Sequence, residues 1–435
     1  MSAALLVVGG IIGSGIFFTP SVSARALPTG GWVLAVWAVG GLVALAGALT
    51  YAELGAMMPD AGGPYVYIRE AFGGLPAFLY AWMALASIAS GALAAVAMAF
   101  AQYLQRFVDL TAVGGPLAIA AATIATLAVL NVLGVTLGAA VQNVLTAAKI
   151  LALVCLIGGG ALVWSRAGSP PPVADVPAPN PSLGAGLAAA FVAVLFTIGG
   201  WQQMNMVAGE IKDPGRNIPR ALMIGIAIVV ACYLGATAVY LHALGRDGLA
   251  ASSAVAADTA RVLFGSRGAT LVTLAAMISI LGFSHVALLA NSRLVYAMAL
   301  DGGFLPIAAR VHSRFGTPYV AISILASWSI ALLLVTRGNV GQLLSAVVFA
   351  DWIFFGLGGA AVFALRRSRP DAARPYRVLG YPVLPAFFVL AALAAIASSI
   401  VSHPLMSALG MLLLGAGVLV FRSSKAGRAA KRDTA

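Results

Sequence analysis

Two glycine-containing interruptions of apolar stretches are the residues best placed to bind a ligand. The first is Gly13-Ser14-Gly15 within VVGGIIGSGIFFTP, and the second is the pair Gly199-Gly200 within VAVLFTIGGWQQMNMVAGE. Glycine is a poor helix former, and an interrupted helix leaves backbone N–H and carbonyl groups without intrahelical partners. Such N–H groups favour an anion, and such carbonyls accept from a cation. The sequence therefore predicts a site for a ligand that carries both charges.

The elements that must position these residues are membrane spans. Hydrophobic residues make up 61% of the chain and charged residues 9%, whereas soluble domains carry about 25% charged residues. Hydrocarbon offers no water to interrupted backbone, so such a break persists only beside a protein-enclosed cavity. At ~20 residues per span, the chain divides into twelve predicted spans: 3–24, 31–58, 72–108, 115–133, 139–164, 183–208, 220–245, 269–298, 318–336, 340–365, 382–402 and 404–421.

The net charge of +12 does not indicate a nucleic-acid partner. If the N-terminus is cytoplasmic, most Lys and Arg residues fall in cytoplasmic loops, as the positive-inside rule requires. We therefore expect a multi-pass protein of the cytoplasmic membrane, with both termini cytoplasmic and the lipid bilayer as its surroundings. The two cysteines, Cys155 and Cys232, lie in predicted spans, so no disulfide is expected.

The position of the two interruptions predicts an inverted repeat. Spans 1–5 (residues 1–165) and spans 6–10 (183–365) each begin with an interrupted span, and a proline-rich external loop (166–182) joins them. An odd number of spans makes the repeats insert in opposite directions, as in many secondary transporters with a ligand site at the bilayer midplane. Spans 11 and 12 (366–421) and a basic cytoplasmic tail (422–435) lie outside the repeats.

Four stretches of the chain resemble the amino acid-polyamine-organocation (APC) transporters, and within them the bacterial relatives of the L-type amino acid transporters. They are GGIIGSGIFFTP (9–20), YAELGAMMPDAGGPYVYIREAFG (51–73), FTIGGWQQMNMVAGEIKDPGRNIPRA (196–221) and NSRLVYAMALDGGFLP (291–306). The resemblance implies an all-α, LeuT-type 5+5 inverted repeat with two further C-terminal helices. It also implies secondary active transport of L-amino acids by alternating access, independent of sodium and by exchange, without a cofactor or metal.

Both interruptions suit the two charged groups of an amino acid. We expect the carboxylate at the N–H groups near Ser14, Gly15 and Ile16, in front of the turn that starts at Gly13. The ammonium needs acceptors, and the expected ones are the carbonyls of Ile11, Phe196, Thr197 and Gly199. The resemblance implies the same assignment. The alternative for Ser14 is a hydroxyl bonded to its own helix.

Four more residues lie beside the second interruption. The resemblance makes Phe196 an aromatic gate that covers bound substrate from outside. Trp201 is expected either to pack or to line the side-chain pocket, and Gln202 and Asn205 to add polar contacts.

Lys149 is a basic residue deep within span 5, where a charge costs about 2.5 to 3.5 kcal/mol and is functional by default. An ammonium that reaches the carbonyls near Gly13 could occupy the place of the coupling cation. Sodium-independent members that this chain resembles carry a lysine here. The alternative is snorkelling to the interface.

Two acidic residues fall within or near spans, Glu53 and Asp351, and each is expected either to pair with polar neighbours or line the gate, or to be a proton site. Neither is obviously within reach of the interruptions, and no Asp or Glu lies in 9–20 or 191–207. Because a buried unpaired ammonium is costly, we expect neutral amino acids as substrates and cationic amino acids and polyamines as poor ones.

The same residues give little support to other functions. No enzyme signature appears, and a channel would need a continuous polar pore. Within transport, proton-coupled symport of an amino acid, or of a cationic amino acid or polyamine, stays open. The loop from Asp109 to Gly115 has no cysteine, unlike light chains that link a heavy chain there, so no obligatory heavy-chain subunit is expected. Only Met1 and Ser2 precede span 1, shorter than is usual in the family.

Overall fold

The computed structural model is helical, and no strand occurs in the residues it describes: 3–13, 15–59, 63–167, 182–206, 208, 211–252, 254–300, 302, 304–402 and 404–423. Ser14, most of the loop 166–182 and nearly all of the tail 422–435 lie outside that part. Helices follow from the composition, because apolar surroundings oblige backbone groups to bond within their own segment. The predicted all-α class is confirmed.

The described residues form helices α1 to α16. Their bounds, in chain order, are Ala3–Ile11, Thr19–Ala26, Gly30–Met57, Pro64–Phe72, Gly74–Met83, Ala89–Leu104, Gly115–Leu133, Val135–Ala167, Leu183–Thr197, Gln203–Met206, Pro214–Ala251, Val255–Leu300, Tyr319–Val335, Val340–Ser368, Val383–Ser402 and Pro404–Ser423. A π-helical turn joins α5 to α6, and a 3-10 turn (Gly15–Phe17) lies between α1 and α2.

Many of these helices are long enough to cross a membrane. Eight stretches of the described residues qualify by length and composition: Gly30–Met57, Gly74–Leu104, Gly115–Leu133, Pro214–Ala251, Val255–Leu300, Val347–Ser368, Val383–Ser402 and Pro404–Ser423. Three shorter apolar helices accompany them: Lys149–Val163, Leu183–Thr197 and Tyr319–Val335. The chain is a multi-pass membrane protein, and the count of twelve spans stays a prediction.

Two helices extend beyond the spans predicted for them. Helix α11 continues past the predicted end at residue 245, and α12 starts before the predicted 269; each is kinked, at Gly245 (φ 67°) and Gly265 (φ 71°) respectively. A positive φ interrupts an α-helix, so each kink sets a short helical end apart from the span. Helix α4 was not predicted; it begins with a proline in its first turn, where the missing N–H costs no helical bond.

The packing places the interrupted helices in the middle of the bundle. Helix α1 contacts α8, α11 and α12, and α10 contacts α1 and α12. Helix α9 contacts α2, α3 and α15. Both interruptions are therefore surrounded by other helices and screened from lipid, which is the condition for unwound backbone at membrane depth.

Candidate binding site between two interrupted helices

The first interruption separates α1, which ends at Ile11, from the 3-10 turn that begins at Gly15. Neighbouring helices approach it closely. A Cβ atom built on Gly13 would lie 2.9 Å from Cγ of Phe283, and one built on Gly15 would lie 2.6 Å from Cγ2 of Thr197. Both distances are too short for a side chain, so close packing as well as backbone freedom explains these glycines.

The second interruption separates α9, which ends at Thr197, from α10, which begins at Gln203. Gly200 has a φ of +105°, a conformation that L side chains rarely adopt. A Cβ atom on Gly200 would also collide with the carbonyl oxygen of Gly10. The two interrupted segments therefore cross in backbone contact at Gly10 and Gly200, and only glycine fits at residue 200.

Side chains from the surrounding helices bind the carbonyls of the first interruption. Nζ of Lys149 donates to the carbonyls of Gly9 (3.0 Å) and Ile12 (2.6 Å). The Tyr233 hydroxyl donates to the Ile11 carbonyl at 3.0 Å. Oγ of Ser279 lies 3.2 Å from the Ile12 carbonyl. These donors replace the helical hydrogen bonds that the interruption removes.

These bonds correct one sequence expectation. The carbonyl of Ile11 was predicted to be free for an ammonium, but it accepts from Tyr233, because α11 packs against α1. The Phe196 carbonyl accepts from N–H of Gly199 at 3.2 Å. Within the described residues, no such backbone bond reaches the carbonyls of Thr197 and Gly199, so these two stay available.

Lys149 is 1% exposed, so it does not snorkel to a membrane interface. Its ammonium reaches the first interruption and lies against two carbonyl oxygens. Two charge-assisted hydrogen bonds offset part of the cost of burial. The structure thus places the Lys149 amine, bonded to two carbonyls, beside the interrupted segment.

A cavity of about 70 Å³ lies between the two interruptions. Its wall combines backbone of the interrupted segments, apolar side chains and a few polar ones. The lining residues are Ile11, Gly13, Gly15, Ile88, Ala89, Ala92, Val96, Phe196, Thr197, Gly199, Gly200, Gln202, Gln203, Phe283, Ala287, Asn291, Val347 and Asp351.

The structure brings seven of the predicted ligand residues to this cavity: Ile11, Gly13, Gly15, Phe196, Thr197, Gly199 and Gln202. Ser14 lies outside the described residues, and Ile16 is buried but does not line the cavity. The half-buried Phe196 forms part of the wall, while its role as a gate stays a prediction.

Trp201 is placed away from the cavity, which corrects the expectation that it lines the side-chain pocket. Its ring packs in an aromatic cluster, with centroids 5.0 Å from Tyr51, 5.4 Å from Phe355 and 5.9 Å from Phe388. The physical reason is burial: the aromatic rings of the cluster surround the large indole ring, and Trp201 is 1% exposed. Of the two readings open for Trp201, packing is the one the structure shows.

Asp351 lines the cavity, so the sequence argument that no carboxylate lies near the interruptions is wrong. It comes from α14, which packs against α6 and the π-helical turn. That packing brings residue 351 beside Ile88 and Val96 in the cavity wall. A single sequence does not fix the rotation of α14 that makes this possible.

Glu53 has a different role from Asp351. Its carboxylate accepts two bonds from Arg366, at 2.9 and 2.6 Å, and one from N–H of Val378 at 2.7 Å. Arg374 lies 3.6 Å from the same carboxylate, and Glu53 is 2% exposed. A carboxylate held by two guanidinium groups is a structural link between α3, α14 and the following loop, so the proton-site alternative is corrected here.

Several residues of the site were not found from the sequence. Gln203, Phe283 and Asn291 line the cavity, and Tyr233 binds the first interruption. Only long-range packing brings them there, and no spacing signal identifies them. Within the described ranges, no group of three or more His, Cys, Asp or Glu residues could hold a metal ion.

Comparison with known proteins finds amino acid permeases and transporters along nearly the whole chain. Residues 1–421 match the family described as "Amino acid permease". The b(0,+)-type amino acid transporter 1 of Mus musculus is 31% identical over 412 residues, which cover 93% of this chain and 82% of that protein. The cystine/glutamate transporter of Homo sapiens is 32% identical over 416 residues (95% and 82%). The large neutral amino acids transporter small subunit 2 of Mus musculus is 33% identical over 432 residues (97% and 79%).

Proposed function

We propose that this chain, which belongs to the amino acid permease family within the APC superfamily, moves neutral L-amino acids across the cytoplasmic membrane by alternating access. One observation carries the proposal: the interrupted helices cross at Gly10 and Gly200 and enclose a cavity. A site enclosed at the centre of a helix bundle is the arrangement that secondary transporters use. The protein acts as a transporter and not as an enzyme.

The main-chain groups of the substrate bind the two interruptions. Its carboxylate lies at the N–H groups of the first one, around Gly15 and Ile16, and Ser14 is assigned to the same subsite from the sequence alone. Its ammonium lies at the carbonyls of Thr197 and Gly199, which have no backbone donor among the described residues. The apolar wall next to them, including Ala92, suits an uncharged side chain.

Transport is independent of sodium because Lys149 supplies the positive charge that a coupling cation would bring. Its ammonium binds the carbonyls of Gly9 and Ile12, in the region where sodium-coupled members of this architecture hold their ion. Exchange is the mode that the resemblance implies. Proton symport is the competing mode, and Asp351 in the cavity wall is the observation that favours it.

The proposed topology follows the sequence. Residues 1–165 and 183–365 form the two inverted repeats, 366–421 add spans 11 and 12, and both termini are cytoplasmic. The interruptions at the start of each repeat and the distribution of Lys and Arg support this arrangement. No heavy-chain subunit is needed, because the loop between spans 3 and 4 has no cysteine, so the purified chain is expected to transport by itself.

Purified protein in liposomes tests this function. We expect saturable uptake of labelled alanine or leucine that unlabelled amino acid inside the liposomes accelerates. Replacement of sodium by potassium or choline should leave the rate unchanged, because no sodium ion takes part. Strict dependence on sodium would contradict the role of Lys149. Uptake that needs a pH gradient and is not accelerated by internal amino acid would indicate proton symport instead of exchange. Large unitary currents would indicate a channel.

A further inference from the structure

Two acceptor groups in the cavity wall have no donor. Oε1 of Gln203 is buried and unpaired, and Gln203 is 6% exposed. The Asp351 carboxylate also lines the cavity, and the described part of the chain gives it no hydrogen bond or ion pair. A buried acceptor without a partner is costly, and for a carboxylate at membrane depth the cost is larger. Such groups persist where a ligand supplies the donor.

Three polar side chains of the same cavity wall make hydrogen bonds to other groups. Oε1 of Gln202 accepts from N–H of Gly200 at 2.9 Å, and Nδ2 of Asn291 donates to the Ala287 carbonyl at 2.8 Å. The Thr197 hydroxyl lies 2.8 Å from the Thr19 hydroxyl and 2.9 Å from the Ala193 carbonyl. In the described part of the chain none of these groups donates to Asp351 or Gln203, so a substrate in the cavity meets two acceptors that lack a donor.

We propose that Asp351 and Gln203 form an acceptor subsite for the substrate side chain. Among the neutral substrates of the proposed function, the preferred ones then carry a hydroxyl one or two bonds beyond Cβ, and the same acceptors would also bind an ammonium at that place. The donor lies close to the main-chain groups, because Asp351 and Gln203 line the same cavity as Gly15, Thr197 and Gly199. The inference rests on the proposed function and specifies its substrate class.

Three amino acids of nearly equal size isolate the effect of the side-chain hydrogen-bond donor on affinity. Serine carries a hydroxyl, 2,3-diaminopropionate carries an ammonium when fully protonated, and 2-aminobutyrate carries a methyl group at the same position. Each competes with labelled serine for uptake into liposomes that contain the wild-type protein. We expect serine to bind about tenfold more tightly than 2-aminobutyrate, because a hydrogen bond to a charged acceptor is lost in the latter.

Comparison of serine with 2,3-diaminopropionate also shows which kind of side-chain donor the subsite prefers. If 2,3-diaminopropionate competes better than serine, the subsite selects cationic side chains, and if it competes less well, the subsite selects hydroxyl groups. Both orders support an acceptor subsite. Equal competition by serine and 2-aminobutyrate would overturn it.

Variants test whether Asp351 causes the preference for serine over 2-aminobutyrate. In Asp351→Ala the ratio of the serine and 2-aminobutyrate affinities should fall to within about twofold. Asp351→Asn keeps the shape and an acceptor, so it should lose affinity for 2,3-diaminopropionate more than for serine. Val347→Ala changes the same cavity wall without removing an acceptor, and it should keep the preference for serine.

The results separate this inference from the proposed function. A wild-type protein that neither binds nor moves any of the three amino acids would contradict the proposed function. A protein that transports them, but whose preference for serine is the same in the wild type and in Asp351→Ala, would overturn only the subsite. If Asp351→Ala gives no folded protein, Asp351→Asn decides the matter: an unchanged ratio of the 2,3-diaminopropionate and serine affinities in that variant would overturn the subsite.

Discussion

Replacement of Lys149 by alanine is expected to lower the transport rate about tenfold or more. The ammonium binds the carbonyls of Gly9 and Ile12, and without it both oxygens lose a charge-assisted hydrogen bond at a depth where water is scarce. The segment before the first interruption then loses its two hydrogen bonds to α8. Initial rates of alanine uptake into liposomes measure the effect.

Two further variants serve as comparisons for Lys149→Ala. Lys149→Met keeps a long side chain without the charge, and it should be as slow as Lys149→Ala if the hydrogen bonds matter. Leu151→Ala shortens a residue of the same helix that is 64% exposed, so transport should stay near the wild-type rate. A wild-type rate in Lys149→Ala would show that the lysine does not hold the interrupted segment.

Replacement of Gly15 by leucine is expected to abolish substrate binding while the protein remains folded. A Cβ at this position lies 2.6 Å from Cγ2 of Thr197, so the new side chain has to displace Thr197 or turn into the cavity. Either change obstructs the N–H groups proposed for the carboxylate. Because a bound ligand raises the unfolding temperature, the test is whether serine or alanine still stabilises the purified variant.

A matched glycine controls for the loss of helix flexibility. Gly415 lies in α16, and a Cβ there meets nothing within 4 Å. Gly415→Leu should therefore keep the stabilisation by amino acids. Undiminished stabilisation of Gly15→Leu would contradict the carboxylate assignment.

The sequence predicted the interruptions because their signal is local. Glycines within an apolar run mark a break regardless of how the neighbouring helices pack. Both breaks occur at the expected residues. The depth of Lys149 in its span was likewise visible from the number of apolar residues before it. These features depend on composition over short windows, which a single sequence contains.

The direction of side chains beyond each break could not be predicted in the same way. At Gly200 the helical periodicity stops, so nothing in the sequence decides whether Trp201 or Gln203 faces the cavity. The structure turns Trp201 into the aromatic cluster and Gln203 to the cavity.

Contacts between distant segments were also invisible. Tyr233 binds the Ile11 carbonyl across 222 positions of the chain, so this predicted acceptor for the ammonium already has one donor. Asp351 reaches the cavity only through the packing of α14. In both cases the decisive quantity is the rotation of one helix against another, which depends on the whole bundle.

The central claim is that an amino acid occupies the cavity between the two interruptions, and substrate protection of a cysteine there tests it directly. Cys155 and Cys232 are first replaced by alanine, and Ala92→Cys then introduces a thiol into the cavity wall. Ala112→Cys, in the exposed 3-10 turn that precedes α7, is the control. The rate of labelling by a small thiol reagent is measured with increasing concentrations of serine or alanine.

We predict that the amino acid slows labelling of Ala92→Cys over the same concentrations that saturate its uptake, and that it leaves labelling of Ala112→Cys unchanged. Labelling of Ala92→Cys that is unaffected by amino acid, in a protein that still transports it, would contradict the account, because the substrate would then pass through the protein without occupying this cavity.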